Sequence, residues 1–246
     1  MFTRDEFEKE LLTSAVEMNQ DTSLKEKALG VFVEADKHRW IHQSKWMGEP
    51  TIQLTTDLFA LQEMIYETKP DFIFEMGVAW GGSVLFYATL CQAWGHGRVI
   101  GVDTYMPEDL KERLLSHGKI SERITLINAS STDPATVNFL REMTKGSEKI
   151  LINLDSSHSH EHVLNELRTY SEFMSPGQYL ICTNTVIDKI PLQAHRPRPW
   201  GPENNPMTAL KAFLKENDRF EVNKYFENKL LFTCNPMGVL KCTKRK

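Results

Sequence analysis

The sequence has few of the features that mark secreted, membrane-spanning or nucleic-acid-binding proteins. Its 246 residues include four cysteines and no Cys-x-x-Cys pair, which argues against a disulfide scaffold. No apolar run approaches the ~20 residues of a membrane helix, and the N-terminus is too charged for a signal peptide. The net charge of −4 gives no broad attraction for nucleic acid or anionic lipid. These absences favour a cytoplasmic protein without nucleic-acid or membrane partners.

The residues that are present have the composition and patterning of one globular α/β protein. Hydrophobic residues make up 41% and charged residues 25% of the chain, which is ordinary for a folded domain. Apolar residues recur at helical spacing over 4–18 and 23–37, whereas residues 40–54 lack periodicity. We expect residues 1–56 to form an N-terminal helical extension with a packing or substrate loop. Residues 57–246 are expected to form the main domain, and the extension to support a homo-oligomer.

From residue 70 onward, short apolar strands alternate with helices. A helix over 57–68, capped by Thr55 or Thr56, precedes this region. We predict strands over 71–76, 98–103, 124–128, 150–155 and 178–183, and helices over 82–93, from Asp133-Pro134, over 161–173 and over 207–216. Residues 220–223 and 229–233 are predicted to form a terminal hairpin. Because such alternation requires right-handed crossovers, the predicted fold is a Rossmann-like, mostly parallel sheet with helices on both faces.

A glycine-rich turn follows the first predicted strand, where an open parallel sheet binds its ligand. The segment is Glu75-Met76-Gly77-Val78-Ala79-Trp80-Gly81-Gly82-Ser83. Its glycines allow the backbone to approach a ligand, and the helix start offers unpaired N–H groups. The spacing differs from Gly-x-Gly-x-x-Gly, which disfavours a dinucleotide pyrophosphate.

Two carboxylates lie at the ends of the strands that flank this turn. Glu75 ends the strand, where its carboxylate can face the ammonium group of a ligand or orient the glycine loop. This fits S-adenosylmethionine better than a dinucleotide. Asp103 is predicted to accept hydrogen bonds from both hydroxyls of a ribose. The alternative is that Glu75 and Asp103 merely cap strand ends. Ser130 and Ser131 are candidates for adenine contacts, or form only a turn and a helix cap. The predicted cofactor contacts are Glu75, Gly77, Ala79, Gly81, Ser83, Asp103, Ser130, Ser131 and Asp155.

The fourth predicted strand leads into a carboxylate and three histidines. The segment reads Leu154-Asp155-Ser156-Ser157-His158-Ser159-His160-Glu161-His162. Asp155 with His158 combines a possible metal ligand and a possible general base near one point, so we predict both as catalytic residues. A zinc cluster of His158, His160 and His162 is the alternative, and its spacing is weak support.

The residues after the fifth strand supply further candidates. Asn184 offers a neutral oxygen to Mg²⁺, so Asp155 and Asn184 are the predicted metal ligands; Asp188 is a substitute carboxylate or only a loop charge. A proline-rich segment over 196–206 is predicted to close over the acceptor, with Trp200 as an apolar wall and Arg198 as a donor. A rigid surface linker is the alternative. The predicted acceptor contacts are His158, His162, Arg198 and Trp200.

Together these motifs resemble the cephalosporin hydroxylase family, which includes CmcI-type proteins and rhamnosyl O-methyltransferases. The most specific pieces are the segment from Asp155 to His162 and the segment Arg198-Pro199-Trp200-Gly201-Pro202-Glu203-Asn204-Asn205-Pro206. The resemblance implies S-adenosylmethionine as cofactor, Mg²⁺ near the acceptor, and methyl transfer to a hydroxyl of a small molecule or sugar, and it strengthens the role of His158 as general base. The family tends to carry an acidic pair where this chain has Thr183-Asn184. That departure motivates the alternative of a non-catalytic descendant that binds cofactor or sugar.

Overall fold

The computed structural model describes residues 2–245, in which helices and strands alternate through the main part of the chain. The helices are α1 (Arg4–Gln20), α2 (Thr22–Asp36), α3 (Thr55–Thr68), α4 (Gly82–Trp94), α5 (Glu108–Leu115), α6 (Pro134–Met143), α7 (His160–Ser171), α8 (Pro206–Glu216) and α9 (Lys224–Lys229). The strands are β1 (Lys45–Trp46), β2 (Glu49–Pro50), β3 (Phe72–Met76), β4 (Arg98–Asp103), β5 (Ile124–Asn128), β6 (Ile150–Leu154), β7 (Tyr179–Cys182), β8 (Phe220–Val222) and β9 (Val239–Cys242).

Strands β3 to β9 form one sheet in the order β5-β4-β3-β6-β7-β9-β8. The five strands β3 to β7 run parallel, and β9 is antiparallel to both β7 and β8. The chain moves outward from β3 through β4 and β5 and then returns to β6 beside β3. The order therefore reverses between β3 and β6, and the carboxyl ends of these two strands border the place where an open sheet binds ligands. The predicted mostly parallel α/β sheet is confirmed.

The sheet buries both of its faces. Ile73 packs in a cluster with side chains of α3 and α4, whereas the next residue, Phe74, packs in a second cluster with side chains of α7 and α8. This alternation follows from the period of two in a strand. Each fully buried side chain of this size contributes roughly 1.5–3 kcal/mol. The two apolar layers hold β3 and β6 rigidly at the point where the site is built.

The N-terminal helices form as predicted and pack on the main body. Helix α1 contacts α9, with Asn19 Nδ2 donating to Asn228 Oδ1 at 2.9 Å. Phe32 of α2 stacks on Phe232 with ring centroids 4.4 Å apart. The segment 40–54, expected to be an ordered loop, contains a 3-10 turn (Trp40–Gln43) and the β1–β2 hairpin. The extension thus contributes packing contacts to the rest of the protein.

Two local predictions are wrong. Helix α3 begins at Thr55 after Leu54, so neither predicted threonine is its N-cap. Burial of Leu54 beside Phe32 fixes the chain at that point, and no side-chain cap is used. The predicted terminal hairpin is also wrong, because β8 pairs with β9 and residues 224–229 form helix α9. The side chain of Asn223 caps that helix, and β9 buries Leu240 and Cys242 between β7 and β8.

The four cysteines are free and buried. Burial raises the pKa of the Cys91 thiol to about 11 and raises that of Cys182 still further. Thiols with raised pKa values are poor nucleophiles, so these cysteines act as small core residues. Across residues 2–245, no helix has both the length and the apolar character that crossing a membrane requires.

Candidate active site

A cavity of about 580 Å³ opens at the carboxyl ends of β3 and β6. It is bordered by part of the glycine turn, by Asp155, Ser156 and His158, by residues of the segment 184–201, and by parts of α2 and the segment after it. Its volume lies in the range of small-molecule sites. The fold therefore brings the predicted cofactor turn, the predicted catalytic pair and the proline-rich loop to one opening.

The glycine turn packs closely against the end of β6. Gly77 has a φ of +101°, and a Cβ there would lie 2.2 Å from the carbonyl oxygen of Asp155. Gly81 has a φ of +81°, and a Cβ there would lie 2.5 Å from the side chain of Leu114. Both positions therefore require glycine. Between them, Ala79 also adopts a left-handed conformation, with a φ of 47°, and borders the cavity.

Glu75 holds the turn to its neighbours. It is 1% exposed, and its two oxygens accept hydrogen bonds from Ser83 Oγ at 2.6 Å and Asn153 Nδ2 at 2.8 Å. Burial, followed by the charge of Asp155, raises the pKa of Glu75 to about 8. Its contacts match the loop-orienting alternative: the carboxyl joins β3, the first turn of α4 and β6.

Asp103 also contacts the turn directly. One carboxylate oxygen accepts from the backbone N–H groups of Val78 at 2.8 Å and Ala79 at 3.1 Å, and the other accepts from Tyr105 N at 2.9 Å. A carboxylate has about four acceptor sites. With three in use, about one site is left for a ribose hydroxyl, rather than the two hydrogen bonds expected from the sequence.

Ser131 is buried and His162 is partly buried, and both belong to a hydrogen-bond network around Glu166 rather than to the cavity wall. Ser131 Oγ and Ser156 Oγ both donate to Glu166 Oε1, at 2.6 Å and 2.7 Å. His162 Nε2 lies 2.9 Å from Ser156 Oγ, and its hydrogen bond to Glu166 raises its pKa. Ser130 Oγ pairs with the Thr132 hydroxyl at 3.1 Å. The adenine and acceptor contacts assigned to Ser130, Ser131 and His162 stay predictions.

Asp155 follows β6 and collects three side-chain donors. Thr183 Oγ1 and Asn184 Nδ2 donate to its Oδ1 at 2.8 Å and 2.7 Å, and Gln53 Nε2 donates to its Oδ2 at 3.2 Å. Burial raises the pKa of Asp155 to about 6, against the opposing effect of these three hydrogen bonds. The sequence predicted no role for Gln53, because its partner is 102 residues away. The available signal was that the segment Ile52-Gln53-Leu54 resembles the family.

The predicted metal ligands Asp155 and Asn184 are in direct contact. Carboxylate, amide and hydroxyl oxygens are the ligand types that Mg²⁺ accepts, so Asp155, Asn184 and Thr183 fit such an ion in chemistry. The amide of Asn184 directs its nitrogen to the carboxylate, and turning the amide over would present its oxygen instead. Only one of these ligands is charged, which predicts weak binding.

The three histidines after β6 do not form a zinc cluster. His160 Nδ1 lies 2.8 Å from Thr208 Oγ1, His162 contacts Glu166, and His158 packs on Trp200. Within residues 2–245, no group of three or more His, Cys, Asp or Glu side chains is arranged to hold a metal ion. The zinc alternative is therefore not supported by the geometry.

His158 borders the cavity together with Asp155. Its ring meets the Trp200 ring edge-on, with centroids 4.9 Å apart. Burial, followed by the positive charges of Arg198 and Arg196, lowers the pKa of His158 to about 4. The imidazole is neutral at pH 7 and has a free lone pair, as a proton acceptor requires.

The proline-rich loop is tied to the N-terminal extension. Arg196 pairs with Asp36 of α2 at 2.6 Å, and its other terminal nitrogen lies 3.0 Å from His42 Nε2. His195 also contacts Asp36, at 3.2 Å. No local sequence signal marked Asp36, because its partner Arg196 is 160 residues away. The loop therefore forms a wall of the cavity, and its contact with an acceptor stays a prediction, with a rigid surface linker as the alternative.

The cavity lies at the β3–β6 reversal of a parallel sheet. The glycine turn there does not have the dinucleotide spacing, and an acidic residue ends the next strand. These features are those of a Rossmann-like methyltransferase fold. The family model "Rhamnosyl O-methyltransferase/CmcI" matches residues 38–243. The chain belongs to this family and is an S-adenosylmethionine-dependent methyltransferase.

Individual relatives agree with this assignment. The rhamnosyl O-methyltransferase of Mycobacterium tuberculosis (strain ATCC 25618 / H37Rv) is 27% identical over 218 residues, which cover 85% of this chain and 84% of the relative. An apo-structure of CmcI matches with a TM-score of 0.59 at 20% identity, over 83% of this chain and 78% of that one. A CmcI structure with Mg and SAM gives a TM-score of 0.57 at 20% identity, over 82% and 78% of the two chains. These structural matches bear on the fold.

Proposed function

We propose that the enzyme transfers a methyl group from S-adenosylmethionine to a hydroxyl of a sugar or other small molecule. The observation that carries this proposal is that Asp155 and His158 border the same cavity as Gly77 and Ala79. A proton acceptor thus lies beside the turn that the fold class uses for its cofactor. The name of the mycobacterial relatives, rhamnosyl O-methyltransferase, supports a sugar hydroxyl as the acceptor.

The residues of the turn fit the proposed cofactor. Gly77 and Gly81 allow the turn to pack against Asp155 and Leu114, and Asp103 retains an acceptor site for a ribose hydroxyl. Ser83 and Glu75 hold the start of α4 in place. When bound, S-adenosylmethionine would supply an electrophilic methyl group on its sulfonium. The acceptor oxygen would take that group as it loses its proton, and the methyl–sulfur bond would break to leave S-adenosylhomocysteine.

The catalytic contribution of the chain is positioning and proton removal. His158 is neutral at pH 7, so a ring nitrogen accepts the hydroxyl proton as the new O–C bond forms. The edge-on contact with Trp200 holds the imidazole ring. Asp155, held by Gln53, Thr183 and Asn184, would orient the acceptor hydroxyl or a cation beside it.

Asp155 and Asn184 would hold Mg²⁺. When bound, the ion would lower the pKa of a hydroxyl oxygen next to it. This assignment is supported by the ligand types and by the structure of the related CmcI with Mg and SAM.

The expected homo-oligomer and cytoplasmic location are parts of the same proposal. Helix α1 has no buried residue and exposes Phe7, Leu11, Leu12 and Val16. Such an apolar stripe supports association with a second copy. Sedimentation of the protein with Leu11→Glu tests this point, because the variant should shift the protein toward monomer.

The activity is tested with methyl-labelled S-adenosylmethionine and methyl α-rhamnoside as the first acceptor probe. We expect label in the sugar with the wild type, little with His158→Gln, and wild-type transfer with His117→Gln, which changes a histidine outside the cavity. Binding of the cofactor without label transfer to the rhamnoside or to lysate metabolites would instead support the non-catalytic descendant.

A further inference from the structure

The acceptor end of the cavity carries charges of both signs. The ionisable side chains that border this end are Asp36, His42, Asp155, His158, Arg196 and Arg198. The histidines have lowered pKa values, so both are neutral at pH 7. Two guanidinium groups therefore share this end with two carboxylates, and the carboxylate of Asp155 is already held by Gln53, Thr183 and Asn184.

The other carboxylate, that of Asp36, is engaged by one of the two arginines. Arg196 Nη1 lies 2.6 Å from Asp36 Oδ1, and Asp36 is only 9% exposed. His195 occupies the other oxygen of Asp36 at 3.2 Å. Arg196 and Asp36 are thus a compensated pair that fastens the loop to α2.

Arg198 is the charge that remains. Within residues 2–245, no carboxylate pairs with it, and its contact is with the Trp200 ring, 5.7 Å from the guanidinium carbon. The side chain is partly buried, and burial followed by repulsion from Arg196 lowers its pKa, with Asp36 giving a smaller opposing effect. A partly desolvated cation without an anionic partner is unfavourable, and a bound anion would relieve this.

A second unpaired donor lies beside it. The indole Nε1 of Trp200 is buried and has no hydrogen-bond partner in the described part of the chain. Both Arg198 and Trp200 border the cavity. This wall therefore offers donors and a positive charge, and the complementary ligand carries acceptor oxygens and a negative charge.

We propose that Arg198 binds an anionic group, a carboxylate or a phosphate, on the methyl acceptor. The planar guanidinium matches either group through two parallel hydrogen bonds. This inference rests on the proposed function, because it takes the ligand at this end of the cavity to be the methyl acceptor. It narrows the acceptor class from any hydroxyl compound to an acidic one, such as a uronic acid or a sugar phosphate.

Charge neutralisation at Arg198 would also act on the base. After burial, the positive charge of Arg198 is the largest cause of the lowered pKa of His158. An anion on Arg198 cancels part of that effect and raises the proton affinity of the imidazole. An acidic acceptor would therefore strengthen the base that removes its proton.

The test measures binding, so it does not depend on turnover. Ligand-observed NMR titrations use the protein saturated with S-adenosylhomocysteine, which places the cofactor's own carboxylate before the probe is added. The three probes are methyl α-rhamnoside, galacturonate and rhamnose 1-phosphate. The variants are Arg198→Met, Arg198→Lys, and Arg141→Met as the control, because Arg141 is an exposed arginine that packs on Phe173 outside the cavity.

In the wild type and Arg141→Met, we expect at least one anionic probe to bind about tenfold more tightly than the rhamnoside, the size of one charge-assisted contact. Arg198→Met should lose this preference and still bind the rhamnoside and S-adenosylhomocysteine within about twofold of wild type. Arg198→Lys should keep part of it. The ratio of the two anionic probes distinguishes a carboxylate from a phosphate.

No anion preference in the wild type would overturn the inference, as would a preference that survives in Arg198→Met. A selective loss of S-adenosylhomocysteine binding in Arg198→Met would assign the arginine to the cofactor and also overturn it. Failure of the wild type to bind S-adenosylhomocysteine would instead contradict the proposed function. The two failures are therefore distinguishable.

Discussion

The two ends of the cavity are built in different ways. At the cofactor end, Glu75 reaches Ser83 over eight residues and Asp103 reaches Val78 over 25. At the acceptor end, Gln53 reaches Asp155 over 102 residues, and Asp36 reaches Arg196 over 160. The cofactor end is thus assembled by one strand–helix–strand unit, whereas the acceptor end requires the whole fold.

The two ends also differ in the polar groups that they leave available to a ligand. Glu75 and Asp103 have backbone or side-chain donors on both oxygens. At the acceptor end, the imidazole of His158 is neutral, and no carboxylate of residues 2–245 pairs with the guanidinium of Arg198. The difference indicates that the cofactor end is a rigid scaffold and that the acceptor end is where reactivity and specificity reside.

The largest expected effect is at the scaffold. Gly77→Ala puts a Cβ 2.2 Å from the Asp155 carbonyl oxygen at a φ of +101°. We expect loss of detectable S-adenosylmethionine binding by calorimetry and a drop of roughly 2 kcal/mol or more in the free energy of unfolding. Gly30→Ala, at a helix position with nothing within 4 Å, is the control and should be neutral or stabilising. Wild-type binding by Gly77→Ala would contradict the rigid-scaffold description.

At the acceptor end, His158→Gln should separate chemistry from binding. Loss of the proton acceptor is expected to lower kcat by about 10²–10⁴-fold. The affinity for S-adenosylmethionine should stay near wild type, because the imidazole contacts Trp200 rather than the turn. Single-turnover methyl transfer and calorimetry measure the two quantities. An equal loss in both would mean that the two ends are not separable.

The pH profile distinguishes the two catalytic residues. His158, with a pKa of about 4, is neutral throughout pH 5 to 8, whereas Asp155 gains its charge as the pH rises through about 6. We expect kcat/KM to rise about tenfold per pH unit below this point and to level off above it. In Asp155→Asn the inflection near pH 6 should vanish together with most of the activity. Persistence of the inflection in that variant would assign it to another group.

A smaller expected effect is the pH dependence of stability caused by Asp57, a buried carboxyl group close to the acceptor end. Asp57 is 4% exposed and borders a second, small cavity with Asp155 and Asn184. Burial raises the pKa of Asp57 to about 7, above its unfolded value of about 3.9. The contribution of Asp57 to the free energy of unfolding is therefore largest below this unfolded pKa. It is lost as the pH rises through 7. Wild-type stability should therefore fall between pH 5 and pH 8.

Asp57→Asn tests this effect by removing the titration. Urea unfolding should show that the free energy of unfolding of the variant falls less over that pH range. The variant should become more stable relative to wild type by roughly 1–3 kcal/mol between pH 5 and pH 8. The exposed Asp109→Asn serves as the matched control, and its pH dependence should follow wild type. A fall of equal size in Asp57→Asn and wild type would contradict the assignment.

The contrast between the ends also explains what the sequence predicted. The sheet, the glycine turn and the Asp155–His158 pair follow from strand ends and local motifs, so periodicity and spacing were sufficient. The contacts of Asp155 with Gln53 and of Asp36 with Arg196 depend on tertiary packing between distant segments. The prediction of a hairpin between residues 220–223 and 229–233 was wrong for the same reason. Strand β9 pairs with β7 instead, and no local pattern in the sequence specifies that pairing.

Cofactor binding and acceptor activation reside in separable parts of one cavity. A calorimetric titration of S-adenosylmethionine into the wild type, Asp103→Ala and His158→Gln measures this separation. We expect the wild type and His158→Gln to bind with similar affinity, and Asp103→Ala to bind at least about tenfold more weakly. Undiminished binding to Asp103→Ala, or no binding to the wild type, would show that the two parts are not built as described.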